Sequence, residues 1–370
     1  MSNIVSLPHL RPARCQLPVG WYFDPEIFAL EQRLLFDAGS GYVGHELMVP
    51  RVGDYHTLAW MDHAKVLMRS SENAAAGIQL LSNVCRHRQS IMLEGRGNVD
   101  NIVCPLHRWT YDLKGELLGA PLFPESPCLK LESTPLTNWN GLLFAGPRDP
   151  RQDLAGMVRS TDFDFSGYLL DRVEITDYAC NWKTFVEVYL EVYHVDVLHA
   201  GLGNFTDCNN FHLEYGDCYS VQVVQAKKGL TAPGTPVYRK WQEACLKQLD
   251  DKAPKYGALW ASYFPGLTFE WYPNVLVVSN LMPRTPELTT NIVEFYYPEE
   301  IVHFEREFIE AQQAAYAETA LEDDEICRRM DRGRRALWRQ GLDDAGPYQS
   351  PMEDAMVHFH EWVRRGINSV

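Results

Sequence analysis

The stretch from Cys85 to His107 reads C-R-H-R-Q-S-I-M-L-E-G-R-G-N-V-D-N-I-V-C-P-L-H and contains two Cys and two His. They form the patterns C-x-H and C-x-x-H, so each pair supplies one thiolate and one imidazole. A Rieske [2Fe–2S] centre uses this ligand set, because two Cys hold one iron and two His hold the other. Cys85, His87, Cys104 and His107 are therefore candidate ligands of such a cluster.

A structural zinc site is the alternative use of the same four side chains, because zinc also binds two Cys and two His. Zinc fingers usually pair Cys with Cys and His with His. This stretch instead places one Cys beside one His in each pair. The spacing therefore favours the iron–sulfur cluster over zinc.

The composition is that of an ordinary globular protein and excludes some partners. The chain has 370 residues, of which 46% are hydrophobic and 22% charged, and its formal net charge is −15 at pH 7. Because phosphate binding needs clustered Lys and Arg, this charge argues against nucleic acid or an anionic membrane as a general partner. No apolar run approaches the roughly 18 residues of a spanning helix, and no signal-peptide core is visible. We expect a soluble, cytoplasmic protein.

The cysteine count gives no sign of a disulfide framework. The nine Cys are an odd number without a regular spacing. We expect those outside the cluster motif to be free thiols in a reducing compartment. These are Cys15, Cys128, Cys180, Cys208, Cys218, Cys245 and Cys327.

Short β-like runs separated by Gly, Asp and Asn fill the region from Gly41 to about Gly146. This pattern is typical of a small antiparallel β domain. Cys85 and Cys104 each follow a short apolar run directly, which predicts that both metal motifs lie in loops after strands. Two such loops at one tip of a sheet can share a cluster.

Helices and further strands are predicted outside this region. Trp21–Ala38 has the signature of a helix, with Asp24 as its N-cap and Pro25 in the first position. Lys227–Gly257 is a polar insert around a short helix, which either covers a pocket or is a surface excursion. The long segment Glu299–Trp338 is strongly helical in pattern.

A second possible metal motif, E-x-x-H-x-x-x-x-H, consists of Glu191, His194 and His199 in a stretch predicted to be helical. On a helix, Glu191 and His194 share one face because they are three residues apart. His199 would be turned roughly 140° away from His194 on a regular helix. Both histidines can bind one metal only if the helix distorts, as at a π-bulge, or ends between them. Otherwise they are ordinary, partly buried histidines.

The order of these motifs resembles the oxygenase α subunits of Rieske non-haem iron oxygenases. The cluster motif is followed after roughly 75 residues by N-W-K-x-x-x-E-x-x-x-E-x-Y-H-x-x-x-x-H. Y-V-G-H near residue 42 and N-G-L-L-F at residue 140 also match the family. The resemblance covers nearly the whole chain.

By this resemblance, His194 and His199 are ligands of a mononuclear iron, whose third ligand is a carboxylate. Open positions on such an iron are available to O₂. The run E-D-D-E-I-C-R-R-M-D-R-G matches the family's carboxylate segment. It implies Asp323 as the ligand, with Asp324 as the alternative.

Glu191 matches an acid that in this family links a cluster His of one subunit to an iron His of the next. A carboxylate that accepts two imidazole N–H bonds fixes both rings and connects the two centres. Asp196 is a less favoured candidate for this role. Because His107 would then face a neighbouring subunit, we expect a homotrimer or a multiple of trimers.

Several positions depart from the family pattern without removing a ligand. Gln89 and Arg108 stand beside the cluster where Gly is common, and Leu106 stands where an aromatic residue is frequent. Val188 replaces a frequent Asn near the iron, and Asp331 replaces a frequent Gln. These changes bear on the cluster potential and on the polarity of the pocket.

The elements and the resemblance together imply an α+β protein. It would combine a small antiparallel β Rieske domain with a larger catalytic domain, in which helices surround an antiparallel sheet. We expect an N-terminal segment at residues 1–40 that packs on the catalytic domain, the Rieske domain at 41–157 and the catalytic mononuclear iron domain at 158–370.

The implied function is that of a terminal oxygenase. A separate reductase or ferredoxin would supply electrons from NAD(P)H, and O₂ would be used at Fe(II) to hydroxylate a small organic substrate. The chain has no G-x-G-x-x-G loop, which is consistent with a separate reductase. A Rieske electron carrier is the alternative, but such a carrier needs no second metal motif.

The aromatic-rich strands can line an arene pocket or a cation–π cage, or can simply form core. We expect an aromatic substrate. Monooxygenation or N-demethylation of a choline-, betaine- or carnitine-like quaternary amine is the alternative. The residues in question are Tyr263, Phe264, Phe269, Trp271 and Tyr272.

Overall fold

A computed structural model describes residues 16–73 and 77–368. The chain divides into two compact units. One unit is Ser40–Arg151, and the other combines the described residues up to Gly39 with those from Gln152 onward. The described part of the N-terminal segment thus belongs to the larger unit, while residues 1–15 and Cys15 lie outside the described chain. None of the described cysteines forms a disulfide.

The smaller unit is built from short antiparallel strands. They are β1 (Tyr42–His45), β2 (Asp54–Thr57), β3 (Lys65–Arg69), β4 (Ile78–Ser82), β5 (Arg96–Asn98), β6 (Ile102–Val103), β7 (Thr110–Tyr111), β8 (Leu117–Gly119), β9 (Ser133–Thr134), β10 (Thr137–Trp139) and β11 (Leu142–Phe144). The strands form three sheets, in the orders β1-β11-β10, β5-β2-β3-β4-β9 and β6-β7-β8. Val66, Leu81 and Ile102 are fully buried in the core of this unit, next to Cys85 and Cys104.

The larger unit contains one antiparallel sheet of seven strands, ordered β12-β18-β17-β16-β15-β14-β13. Together with the helices around it, this sheet confirms the predicted α+β class. The strands are β12 (Tyr168–Tyr178), β13 (Thr206–Tyr215), β14 (Tyr219–Ala226), β15 (Ala258–Tyr263), β16 (Leu267–Tyr272), β17 (Val275–Thr285) and β18 (Leu288–Pro298).

The helices are mostly short, apart from three. They are α1 (Pro25–Glu31), α2 (Pro150–Asp153), α3 (Trp182–Leu190), α4 (Val195–Leu198), α5 (Leu202–Phe205), α6 (Pro236–Gln248), α7 (Glu299–Phe304), α8 (Arg306–Arg339) and α9 (Asp354–Ile367). Within the described chain, no helix is both long and apolar enough to cross a membrane.

The first helix begins as the sequence predicts but ends earlier. The Asp24 carboxylate accepts a hydrogen bond from the Glu26 N–H, and Pro25 occupies the first helical position. The α-helical hydrogen bonding stops at Glu31 instead of continuing to Ala38. A wider π-helical turn, Gln32–Phe36, follows it.

One face of the seven-stranded sheet carries one of the apolar cores of the larger unit. Side chains alternate between the two faces of a strand, so Thr268, Glu270 and Tyr272 of β16 share a face. Residues directly opposite each other also share a face, which adds Trp260 of β15 and Val277 of β17, the two neighbours of Glu270. Residues of α4, α5, α6 and α8 join this face in one buried apolar cluster.

Candidate active site

The two loops that carry the Cys and His motifs have the same backbone hydrogen bonds. The Cys85 N–H donates to the Ser90 carbonyl at 2.9 Å. The Cys104 N–H likewise donates to the Trp109 carbonyl at 2.8 Å. Each motif therefore lies in a closed loop after a short strand, as the sequence predicts.

The fourth residue after each Cys turns the chain back through a left-handed conformation. Gln89 has φ 54° and Arg108 has φ 62°. Their N–H groups donate to the Cys85 and Cys104 carbonyls, both at 3.1 Å. Positive φ explains why glycine is common here in the family, since glycine adopts this region without a Cβ penalty.

The loops bring the four candidate cluster ligands together. The rings of His87 and His107 lie 4.6 Å apart between centroids. Burial raises the pKa of the Cys104 thiol, and its hydrogen bond with Cys85 raises it further. The Nδ1 atom of His87 is buried and has no hydrogen-bond partner among the described residues. Two buried thiols and two adjacent imidazoles, one with an unused ring nitrogen, fit a Rieske cluster.

Tyr111 is a neighbour of this site that sequence reasoning did not single out. Its hydroxyl lies 3.7 Å from the Sγ atom of Cys85 and accepts a hydrogen bond from the Arg86 N–H at 3.2 Å. The side chain is fully buried, and burial raises the pKa of its phenol. The phenol proton is therefore retained and available to the sulfur.

The second metal motif begins where α3 ends. Asn181 caps the start of α3 through a bond from the Lys183 N–H, and the helix stops at Leu190. Glu191 is already extended, with φ −120° and ψ 136°. The expectation that Glu191 and His194 share one face of a helix is therefore wrong.

The Glu191 side chain nevertheless reaches His194, because it caps the short turn that follows. Its Oε2 atom accepts the His194 N–H at 3.0 Å, and its Oε1 atom lies 2.5 Å from His194 Nδ1. The short helix α4 then ends at Leu198, and His199 is its C-cap residue. The two histidines thus meet because the helix is broken and then stops, without a π-bulge between them.

Three side-chain atoms converge at this place. His194 Nε2 lies 3.1 Å from His199 Nε2. Asp323 Oδ1, from α8, lies 3.0 Å from His199 Nε2 and 3.7 Å from His194 Nε2. Two imidazoles and one carboxylate are the ligand set of non-haem iron oxygenases.

Carboxylates on the far side of each ring fix the imidazoles. Glu191 binds His194 Nδ1, and Glu322 lies 2.7 Å from His199 Nδ1. With a proton on each Nδ1, the neutral rings direct both Nε2 lone pairs at the shared space beside Asp323. The donor set therefore fits a metal ion. Glu322 was missed by sequence reasoning because its role depends on which face of α8 meets His199.

The neighbouring acids have other partners. Asp324 forms an ion pair with Arg328 on the exposed side of α8. Asp196 pairs with Lys227 at 3.1 Å. Asp331 accepts hydrogen bonds from the Asn181 N–H at 2.6 Å and from the Thr184 hydroxyl at 2.5 Å. Of the two acids at 323 and 324, Asp323 is thus the one that lies with the histidines.

In the metal-free chain, His194 and Asp323 shift each other's pKa values. Burial lowers the pKa of His194, but hydrogen bonds to Asp323 and Glu191 outweigh burial and raise it to about 9. Burial raises the pKa of Asp323, but the two histidines outweigh burial and lower it. The metal-free site therefore favours a protonated imidazole beside an ionised carboxylate.

A cavity opens directly beside these ligands. Its empty space, including its opening to solvent, is about 900 Å³. The acidic residues on its wall are Glu191, Glu270 and Asp323, and none of the described lining residues is Lys or Arg. Its aromatic lining residues are Tyr178, Phe185, Tyr189, Tyr238, Trp241, Trp260, Tyr272 and Tyr316.

The aromatic walls differ in part from the sequence-based expectation. Of the five aromatic residues singled out in the strands, Tyr272 lines the cavity. The others pack elsewhere, such as Phe269 against Phe163. The polar insert provides more of the wall, because α6 contributes Tyr238 and Trp241. The insert is thus part of the pocket wall.

Both units match known families. Residues 41–134 match the Rieske [2Fe-2S] domain, and residues 165–369 match the ring hydroxylating alpha subunit (catalytic domain). The chain is 60% identical to putrescine 2-hydroxylase of Ralstonia nicotianae, over 99% of both chains. It is 52% identical to putrescine 2-hydroxylase of Bordetella bronchiseptica, over 99% of this chain and 87% of that one.

A solved structure shares the fold over nearly the whole chain. It is a quaternary ammonium Rieske monooxygenase, with a TM-score of 0.75, 17% identity and 98% coverage of each chain. The paired motifs, the family matches and this fold agree with one another. The chain belongs to the α subunits of Rieske non-haem iron oxygenases, which carry a Rieske [2Fe–2S] cluster and a mononuclear iron.

Proposed function

We propose that this oxygenase hydroxylates an aliphatic diamine of the size of putrescine, at the carbon next to the one that bears an amino group. The observation that carries this proposal is a cavity with acidic and aromatic walls and no described Lys or Arg. The high identity to two putrescine 2-hydroxylases supports it. The expectation of an aromatic substrate is not supported by these relatives.

The charge of the cavity lining indicates which class of amine the site can bind. A diamine is a dication near neutral pH, and buried carboxylates and aromatic faces stabilise ammonium groups. Betaine- and carnitine-like substrates also carry a carboxylate, which needs a cation or several hydrogen-bond donors in a buried site. Because the described lining lacks a basic side chain, it favours diamines over these zwitterions. A choline-like cation is the second candidate.

The iron ligands proposed for this reaction are His194, His199 and Asp323. Fe(II) held by these residues would supply the activation of O₂. Glu191 and Glu322 hold the Nδ1 protons and keep both Nε2 atoms aimed at the metal position. The balanced reaction consumes one substrate, O₂, two electrons and two protons and gives the alcohol and water.

The electron path is proposed to start at the smaller unit, Ser40–Arg151, as the Rieske domain. Its cluster ligands would be Cys85, His87, Cys104 and His107. A reductase or ferredoxin would deliver electrons from NAD(P)H to this cluster.

Exposed apolar side chains at both metal sites favour contact between copies of the chain. Leu106, beside His107, is 55% exposed. Val197, between the two iron-site histidines, is 88% exposed. Contiguous exposed apolar patches mark interaction surfaces, and in an assembly these two side chains would contribute to such a patch. Because Glu191 also matches the family's bridging acid, we propose that it bridges to a cluster histidine of a neighbouring subunit, in a homotrimer.

A substrate panel tests the proposed function. The purified chain, loaded with iron and coupled to a surrogate reductase, is given putrescine, choline, glycine betaine and benzoate, and O₂ uptake is compared with product formation. We expect tightly coupled turnover with putrescine. Preferred turnover of benzoate or betaine would contradict the proposal, and the His194→Ala variant controls for uncoupled O₂ uptake.

A further inference from the structure

We propose that Glu270 is the residue that binds an ammonium group of the substrate, with Tyr272 and Trp260 holding its carboxylate in position. This inference rests on the proposed function, since it names the side chain that selects an amine. Glu270 touches neither metal site in the described contacts. Because Glu270 lines the cavity, its proposed role is to select the substrate.

Glu270 occupies a position that packing alone would fill with an apolar residue. It lies in the middle of β16, one of the central strands of the sheet, and is only 3% exposed. Its cross-strand neighbours are Trp260 and Val277. Burial of a carboxylate costs free energy unless a charge or hydrogen bonds compensate it. Among the described residues, no Lys, Arg or His forms an ion pair with Glu270.

A short hydrogen-bond relay orients this carboxylate. The Tyr272 hydroxyl donates to Glu270 Oε2 at 2.6 Å. The Trp260 Nε1–H donates to the same hydroxyl at 2.9 Å, so the Tyr272 proton is directed at the carboxylate. The other oxygen, Oε1, receives no hydrogen bond from the described side chains or backbone. One oxygen is thus fixed and the other remains available to a ligand.

The raised pKa of Glu270 is that expected of a buried carboxylate that has no bound cation beside it. Burial raises its pKa, the Tyr272 hydrogen bond lowers it, and the charge of Asp323 raises it, to about 7. Glu270 and Asp323 line the same cavity. Tyr189 and Tyr316 line the same cavity, and burial together with the charge of Glu270 raises their pKa values. A bound ammonium would stabilise the ionised carboxylate.

The surroundings provide further groups for an ammonium ion. Tyr272 and Trp241 meet edge to face, with ring centroids 5.4 Å apart, and both line the cavity. Aromatic faces attract cations, most strongly when the cation has lost its water. Asn291 Oδ1 lines the same cavity, is buried and has no hydrogen-bond partner among the described residues. An ammonium has three donors, so it can use more than one acceptor.

The same sheet offers a matched control. Glu294 of β18 is also fully buried and accepts a hydrogen bond from Tyr296, two residues later, at 2.6 Å. The strand register places Glu294 opposite Val278, on the other face of the sheet from Glu270. Glu294 does not line the cavity. The two residues therefore share burial and a tyrosine partner but differ in access to substrate.

The test compares Glu270→Gln and Glu294→Gln with the unchanged enzyme, each loaded with cluster and iron. We expect Glu270→Gln to raise KM for putrescine about 10- to 100-fold, the range of a lost charge-assisted hydrogen bond. Glu294→Gln should leave KM unchanged. Iron content and the cluster spectrum show whether each variant is folded. If Glu270→Gln does not fold, Tyr272→Phe is used, and a several-fold rise in KM is expected.

The outcomes separate the two proposals. Putrescine turnover by the unchanged enzyme, with an unaltered KM in a folded Glu270→Gln variant, overturns the role of Glu270 and leaves the proposed function in place. If the unchanged enzyme hydroxylates only neutral or anionic compounds, the proposed function fails and the ammonium site fails with it. A rise in KM confined to the Glu270 variant supports both.

Discussion

His199 Nε2 lies 3.0 Å from Asp323 Oδ1, although one belongs to the end of a short turn and the other to the middle of the long helix α8. The same nitrogen lies 3.1 Å from His194 Nε2. This convergence requires the break after Leu190, since a regular helix would direct the two histidines apart. The broken helix is thus the structural basis of the proposed iron site.

Replacement of Asp323 tests this convergence. We expect Asp323→Asn to reduce the iron content to that of the cluster alone and to abolish hydroxylation, because an amide is a weaker ligand than a carboxylate. Asp324→Asn is the matched control, since Asp324 pairs with Arg328. Iron analysis and the visible cluster spectrum check both variants. Full iron content in Asp323→Asn together with its loss in Asp324→Asn would reverse the assignment.

Replacement of Glu191 tests the proposed bridge. Glu191→Gln keeps the shape but weakens the bond to His194 Nδ1, so iron affinity should fall about 10- to 100-fold. Even with iron added in excess, the reduced cluster of the Glu191→Gln variant should be reoxidised more slowly during turnover than the cluster of the unchanged enzyme. Rapid mixing with O₂ and substrate measures that rate, with Asp196→Asn as the control. Reoxidation at the rate of the unchanged enzyme would exclude a bridging role.

The pKa of His194 predicts proton release on metal binding. At neutral pH the metal-free imidazole is protonated, because its pKa is raised to about 9, whereas a ligand must be neutral. Fe(II) affinity should therefore increase with pH until about 9, and binding at neutral pH should release a proton. Calorimetry in buffers of different ionisation enthalpy measures this release. A binding heat independent of the buffer would contradict the prediction.

The same shift has a consequence for the metal-free fold. The folded-state pKa of His194 lies above the ordinary value of 6.5, so its protonation stabilises the metal-free fold fully below that value. This contribution is lost as the pH rises through about 9.

Tyr111 is expected to tune the cluster. Its phenol lies 3.7 Å from Cys85 Sγ, and a hydrogen bond to a ligand sulfur favours the more negative, reduced cluster. Tyr111→Phe should therefore lower the reduction potential by several tens of millivolts, since about 1.4 kcal/mol corresponds to about 59 mV for one electron. Redox titration followed by EPR measures the change. Tyr55→Phe is the control, because its hydroxyl bonds the Glu94 carbonyl instead. A potential unchanged in Tyr111→Phe would refute this role.

A buried ion pair ties the N-terminal helix region to α3. Lys183 Nζ lies 2.6 Å from Glu31 Oε1, and neither side chain is exposed. Lys183→Met should lower the free energy of unfolding by about 3–5 kcal/mol, because it leaves the buried Glu31 carboxylate without its cationic partner. Urea denaturation measures the loss. The double variant with Glu31→Gln should recover part of it, and equal stability of the single variant and the unchanged protein would contradict the expectation.

The cluster loops could be predicted from the sequence because their candidate ligands lie within two short motifs. The motif around His194 was recognisable too, but the helix end at Leu190 was not, since no Gly or Pro marks it. Glu322 and Asp323 are adjacent in the sequence, and only the packing of α8 decides which ring nitrogen of His199 each carboxylate approaches. The family resemblance, and not periodicity, selected Asp323.

The substrate pocket was harder to predict because its walls come from distant elements. Tyr238 and Trp241 belong to an insert whose packing could not be deduced from its polar composition. One local signal was available: the strand L-T-F-E-W-Y places Glu270 between aromatic residues, where a charged side chain is costly. Such a residue in the core of a sheet indicates either a buried partner or a ligand.

The position and origin of the new oxygen test the proposed reaction most directly. The reconstituted enzyme is given putrescine under ¹⁸O₂, and the product is analysed by mass spectrometry and NMR. The proposal predicts 2-hydroxyputrescine with one ¹⁸O atom at C2, formed in proportion to the O₂ consumed. An unchanged diamine, or exclusive oxidation of an aromatic or quaternary ammonium compound in the same assay, would contradict it.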